Sequence, residues 1–152
     1  IGIRQLERYT RMLERRLEII KRYDSTCDAL GISHLVHHTD NMDSSNHLYL
    51  IRISGIDVET RNQIIEKLAE RGVATNVHYK PLPMMTAYKT AVCGKENGWN
   101  IKDFPNSYKF YENEITLPLH TKLSDSDVSY IVETFRKIVE ESKKEVESSE
   151  CF

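Results

Sequence analysis

Residues 47–54, HLYLIRIS, constrain the fold more than any other stretch of the chain. In an extended backbone Tyr49, Ile51 and Ile53 point to one face, and Leu48, Leu50 and Arg52 to the other. A strand that is mostly apolar on both faces belongs in the middle of a sheet. Gly55 ends it. Asp57 then caps a helix, VETRNQIIEKLAER, with Val58, Ile64, Ile65 and Leu68 as its buried face and Gly72 at the C′ position. A further strand is expected over residues 73–79. Together these make a β-α-β unit with a crossover helix of about fourteen residues.

Long amphipathic segments flank this unit. Ile3, Leu6, Leu13, Leu17 and Ile20 fall on one helical stripe, with Arg4, Arg8, Arg11, Glu14 and Glu18 beside it. The spacing predicts a helix from the start to residue 27 or 30, stopped by Gly31 and laced with i,i+4 ion pairs. No capping residue precedes Ile1 and no initiator Met is present, so the segment reads as the C-terminal part of a longer protein. At the other end Ser124 and Asp127 form a capping-box-like S-x-x-D. Val128, Ile131, Val132, Phe135, Ile138 and Val139 follow as an apolar stripe.

Between the flanks, residues 32–36 read as a short strand and residues 39–46, TDNMDSSN, as a polar loop. A short helix is expected over about 84–90, followed by a Gly-containing loop at 93–100. Phe104-Pro105-Asn106 opens a helix to about Glu112, and residues 114–120 form a short strand closed by Pro118. The expected fold class is α+β: a two-layer sandwich in which helices pack a small mixed sheet of three to four strands, with long N- and C-terminal helices. Residues 1–140 make one domain, and 141–152 form a tail with few anchors that should fray.

Composition removes several classes of function. The 152 residues carry 21 basic and 23 acidic side chains, a net charge of −2, so there is no electrostatic case for nucleic acid or an anionic membrane. No apolar run approaches the ~18 residues that span a bilayer, and no secretory signal pattern is present. Cys27, Cys93 and Cys151 are odd in number, widely spaced and outside any CxxC, which argues against a disulfide framework or a cysteine zinc site. A reducing cytoplasm is the expected compartment, and Cys27 reads as a packing residue. The six histidines form no HExxH, and adjacent His37 and His38 point apart, so no metal site is expected. GxSxG, GxGxxG, P-loop and RNA-binding aromatic motifs are absent from the sequence.

One stretch stands apart: NVHYKPLPMMTAY, residues 76–88. It puts His78, Tyr79 and Lys80 at the end of the expected strand. Pro81 and Pro83 then stiffen the exit. His78 can donate or accept at neutral pH, and Lys80 suits a phosphate or carboxylate. The residues admit two readings, a ligand-binding lip or an ordinary polar loop with His78 tucked against Tyr88.

The order of segments resembles the C-terminal part of the DegT/StrS-type aminotransferases, the fold-type I enzymes that use pyridoxal phosphate to aminate nucleotide-linked keto-sugars. The resemblance rests on Gly72, Val77-His78-Tyr79, Pro81-Leu82, Tyr88, Phe104-Pro105, Leu117-Pro118-Leu119-His120, Leu123-Ser124-Asp125 and Asp127-Val128, and on an IGIRQL start like the helix after the large cofactor domain. It covers the chain to about Lys137. It implies that this is the small domain, that the Schiff-base lysine lies in a large domain not contained here, and that no catalytic residue is in this chain. It also implies that His78, Tyr79, Lys80, Tyr88 and His120 face substrate. Relatives often carry a second histidine where this chain has Pro83. For the intact protein the resemblance implies a homodimer, a nucleotide-sugar substrate, glutamate as amino donor, and a place in surface polysaccharide or amino-sugar biosynthesis. The family also includes sugar dehydratases. The alternative reading is a stand-alone ligand-binding or regulatory module without catalytic activity.

Overall fold

The computed structural model describes residues 1–89 and 98–149. Helix α1 spans Gly2–Leu30 and ends at Gly31, whose φ of 64° is left-handed and costs a glycine little. No side chain caps its N-terminus. Ile19, Ile20, Tyr23 and Cys27 are buried, but Ile3 and Leu6, expected on the same packed stripe, are 76% and 73% exposed. The reason is length. At 1.5 Å per residue the 29-residue helix runs roughly 44 Å, past a sheet whose strands are two to four residues long. Its surface ion pairs, Arg4–Glu7 and Arg15–Glu18, are spaced i,i+3 rather than i,i+4.

The central strand is β4 (Tyr49–Arg52), in a sheet ordered β1 (Ser33–His34), β4, β5 (Glu114–Leu117). Tyr49 and Ile51 have no exposed surface, as expected for a strand covered on that face. Both pairings are antiparallel, so the sheet is not mixed. Helix α2 (Val58–Glu70) carries the chain back, but β5 inserts between β4 and the returning segment.

That returning segment, residues 73–79, is not the expected strand. It makes one bridge, Asn76 with Thr116. The ladder stops there because the next amides are taken by side chains: Val77 N–H donates to Asn76 Oδ1 at 2.8 Å, and His78 N–H to Glu114 Oε2 at 2.9 Å. Pro81 then offers no N–H at all. Residues 39–46 are also more ordered than an open loop, since β2 (His38–Thr39) and β3 (Met42–Asp43) pair as a hairpin.

Asp57 caps α2 by accepting from Thr60 N–H at 2.8 Å. The α2 face buries Ile64 and Leu68, but also Arg61, which is 1% exposed. Its guanidinium donates to the Tyr111 and Glu114 carbonyls at 3.0 and 3.3 Å and to Asn62 Oδ1 at 2.9 Å, and lies 4.8 Å from the Tyr111 ring centre. A buried cation is tolerable only with such partners. Arg61 thereby ties α2 to the turn between α4 (Pro105–Tyr111) and β5.

Helix α5 (Asp125–Ser149) opens on the reciprocal capping box: Ser124 N–H donates to Asp127 Oδ2 at 2.8 Å and Asp127 N–H to Ser124 Oγ at 3.1 Å. Val128, Ile131, Phe135, Ile138 and Val139 are buried, and α5 packs against α1 and α2. The helix continues past residue 140, where Ser142 is buried and Lys143 Nζ donates to the Leu30 carbonyl at 2.8 Å. Of the short helix expected near 84–90, a 3-10 turn at Leu82–Met84 and helix α3 (Thr86–Lys89) are present. Residue 90, most of the Gly-containing loop, Cys93, and residues 150–152 of the tail lie outside the described residues. Among the described residues, no helix is long and apolar enough to cross a membrane, and no His, Cys, Asp and Glu group could hold a metal ion.

Three measurements test this packing and the cap of α5. Phe135→Ala is expected to cost about 3–5 kcal/mol and Ser124→Ala about 1 kcal/mol, both read from urea unfolding. Burial pushes the Cys27 thiol up to about 11, so alkylation of the native chain at about pH 8 should spare Cys27 until denaturant is added, as peptide mass mapping would show.

Candidate functional site

Strand β5 alternates two chemistries. Ile115 and Leu117 face the core, while Glu114 and Thr116 share the opposite side, two residues apart. All four are buried. The polar pair meets residues 76–78, where Asn76 and Thr116 exchange backbone hydrogen bonds at 2.7 and 3.2 Å.

His78 is consequently held at two points. Its amide donates to Glu114 Oε2, and its Nδ1 lies 2.9 Å from Thr116 Oγ1. Thr116 Oγ1 in turn donates to Glu114 Oε1 at 2.6 Å. Burial pushes the Glu114 carboxyl above the ordinary glutamate range, opposed by the Thr116 and His78 amide hydrogen bonds and by the nearby charges of His78 and Arg61.

The Tyr79 ring meets His78 edge-on, with centres 4.6 Å apart, and the peptide joining them is cis. Tyr79 is 72% exposed and Lys80 is exposed. His78 lines a cleft of about 290 Å³ with His47, Thr75, Asn76, Thr116 and Pro118. In that wall the buried Thr75 Oγ1 has no hydrogen-bond partner among the described residues.

The other expected site residues lie elsewhere. Tyr88 lines a separate apolar cleft of about 420 Å³ with Leu82, Pro83, Trp99 and Phe104, and its carbonyl accepts from Trp99 N–H at 2.7 Å. His120 is exposed, its carbonyl accepting from Leu123 N–H at 3.2 Å, and it lines neither cleft. The structure therefore brings His78 and Tyr79 together, with Lys80 adjoining, and leaves Tyr88 and His120 apart. The contacts of His78 are Glu114, Thr116 and Tyr79, so it is not the loop histidine packed on Tyr88.

Glu114 and Thr116 are the residues that sequence reasoning missed. The available signal was their period-2 spacing inside an apolar strand, since a glutamate there needs a partner.

Pyridoxal phosphate requires a lysine amine inside its site. Among the described residues no lysine lines the cleft beside His78. Lys21, Lys80, Lys89, Lys102, Lys109, Lys122, Lys137 and Lys144 are exposed, and the half-buried Lys67 and Lys143 are engaged by Glu145 and the Leu30 carbonyl. These residues do not fit the cofactor. The 76–80 lip presents an imidazole, an exposed phenol and an exposed ammonium.

The raised Glu114 carboxyl has a measurable consequence. The folded chain holds this proton more tightly than the unfolded chain does. Stability from that preference is present below the ordinary value of 4.5 and is lost as pH rises through the folded value. Urea unfolding of wild type relative to Glu114→Gln should therefore show falling relative stability as pH rises from 4.5, and a flat difference would refute the shift.

Residues 1–136 match the DegT/DnrJ/EryC1/StrS aminotransferase family. The chain is 32% identical over 146 residues to the Bacillus subtilis spore coat polysaccharide biosynthesis protein SpsC, covering 91% of this chain and 35% of that protein. It is 29% identical over 144 residues to a Campylobacter jejuni UDP-4-amino-4,6-dideoxy-N-acetyl-beta-L-altrosamine transaminase, covering 95% and 36%. Among solved structures, "Putative sugar aminotransferase Spr1654 from Streptococcus pneumoniae, PLP-form" superposes with a TM-score of 0.86 at 50% identity, over 93% of this chain and 34% of that one. The chain thus spans about a third of the length of the relatives it matches.

Proposed function

Because the chain belongs to the DegT/DnrJ/EryC1/StrS aminotransferase family, we propose that it forms the small domain of an enzyme that transfers an amino group to a nucleotide-linked keto-sugar. The observation that carries this reading is the 76–80 lip. A histidine is held in place by two hydrogen bonds, beside an exposed phenol and an exposed ammonium. A preorganised polar edge of this kind binds with little ordering cost.

The reading is supported by two of the relatives, a UDP-sugar transaminase and a spore coat polysaccharide biosynthesis protein. In the parent protein, pyridoxal phosphate is held by residues outside this chain, in keeping with a neighbour solved in a PLP-form. Glutamate supplies the amino group, and the parent is a homodimer acting in surface polysaccharide or amino-sugar biosynthesis. His78, Tyr79 and Lys80 face the nucleotide-sugar. Tyr88, in its own apolar cleft, and His120 meet other parts of the substrate. Residues 1–140 act as the domain, and alone they have no transaminase activity.

In the parent protein, His78→Ala and Lys80→Ala should each lower kcat/KM for the nucleotide-sugar about tenfold, the worth of one hydrogen bond or charge contact. The visible absorbance of bound cofactor should not change. Normal kinetics in both variants would make the lip structural. A parent that binds no pyridoxal phosphate would favour a ligand-binding module instead.

A further inference from the structure

The contacts beneath His78 determine which of its nitrogens carries the proton. Thr116 has one hydroxyl hydrogen, and its oxygen lies 2.6 Å from Glu114 Oε1 and 2.9 Å from His78 Nδ1. The other carboxyl oxygen, Oε2, already receives the His78 amide hydrogen. Each oxygen of Glu114 thus faces a donor, and a carboxylate can only accept. The Thr116 hydrogen therefore goes to Oε1. The Thr116 oxygen is then left as an acceptor, and Nδ1 must supply the hydrogen. A neutral imidazole carries one N–H, so Nε2 is left with its lone pair. Among the described residues nothing bonds to Nε2, and the ring lines the cleft beside Thr75 and Asn76.

We propose that Glu114 and Thr116 are positioning residues that hold neutral His78 in its Nδ1–H form, so that Nε2 accepts a hydrogen from a hydroxyl of the ligand's sugar portion. An ionised phosphate brings only acceptors and is excluded from this atom. The exposed ammonium of Lys80, two residues on, is the group with the chemistry for phosphate. The hydroxyl assignment rests on the reading of His78 as a substrate contact. The tautomer assignment does not.

The two parts are tested separately. Long-range proton–nitrogen correlation spectra of the ¹⁵N-histidine-labelled chain are recorded at about pH 8.5, above the imidazole range. The His78 signal is identified by its loss in His78→Gln. Wild type should show a protonated, pyrrole-type Nδ1 and a pyridine-type Nε2. Thr116→Val should move both toward the tautomer average, and Thr116→Ser should restore the wild-type pattern. A protonated Nε2 in wild type, or a Thr116→Val spectrum identical to wild type, overturns the relay, and the wild-type spectrum alone is enough for that. The ligand half uses the parent protein and calorimetry. Thr116→Val should weaken UDP-N-acetylglucosamine about fivefold, the worth of one hydrogen bond, and leave UDP unchanged. An equal loss for UDP would place a donor of the nucleoside, a ribose hydroxyl or the uracil N–H, at Nε2 and overturn the assignment to the sugar portion. The expected tautomer with no effect on either ligand would remove His78 from substrate binding while the relay stands.

Discussion

The register of β5 against β4 is the constraint on which the site depends. Ile115 faces Ile51 and Leu117 faces Tyr49, so four buried apolar side chains meet on one side of the sheet. Leu50 opposite Thr116 and Arg52 opposite Glu114 take the other side. Because the side-chain period of a strand is two, a slip of one residue would drive Glu114 and Thr116 into the core and turn Ile115 and Leu117 away from it. The apolar pairing therefore presents a carboxylate and a hydroxyl, side by side, to residues 76–78. The core and the polar site share one register.

The same region shows how buried polar groups are accommodated. Glu114 is 1% exposed, yet its side chain meets two donors and its carbonyl meets the Arg61 guanidinium. Arg61 is equally buried and spends its donors on two carbonyls and an amide oxygen. Neither group forms a direct ion pair with the other. Each is held by oriented dipoles, which keeps the desolvation cost from going uncompensated. The turn before β5 and the start of β5 are consequently tied to α2 where the 76–80 segment docks on them. The lip takes its order from that docking rather than from strand pairing.

Much of the architecture was legible because it rests on local signals. Gly31 and Gly72 stop helices at positive φ, Asp57 and Ser124 cap them, and the 3.6-residue stripe of α5 marks the face it buries. The exposed first third of α1 was not legible, because periodicity reports an apolar stripe without saying what lies against it. Residues 73–79 misled for a different reason. Their composition suits a strand, but side chains of Asn76 and Glu114 take the amides that a ladder would use, and one of those acceptors lies 36 residues away.

At the site the division is sharper. His78, Tyr79 and Lys80 could be singled out as a polar cluster before two prolines, since that depends on neighbours in sequence. By itself the sequence determined the helices, their caps, the central strand and the family resemblance, all of which arise from contacts or periods within a few residues. Only the tertiary structure decided that Tyr88 and His120 stand apart from His78, that Arg61 is buried, and that Glu114 and Thr116 lie beneath the histidine. Those facts depend on strand order and register, which bring together residues tens of positions apart that no local pattern connects.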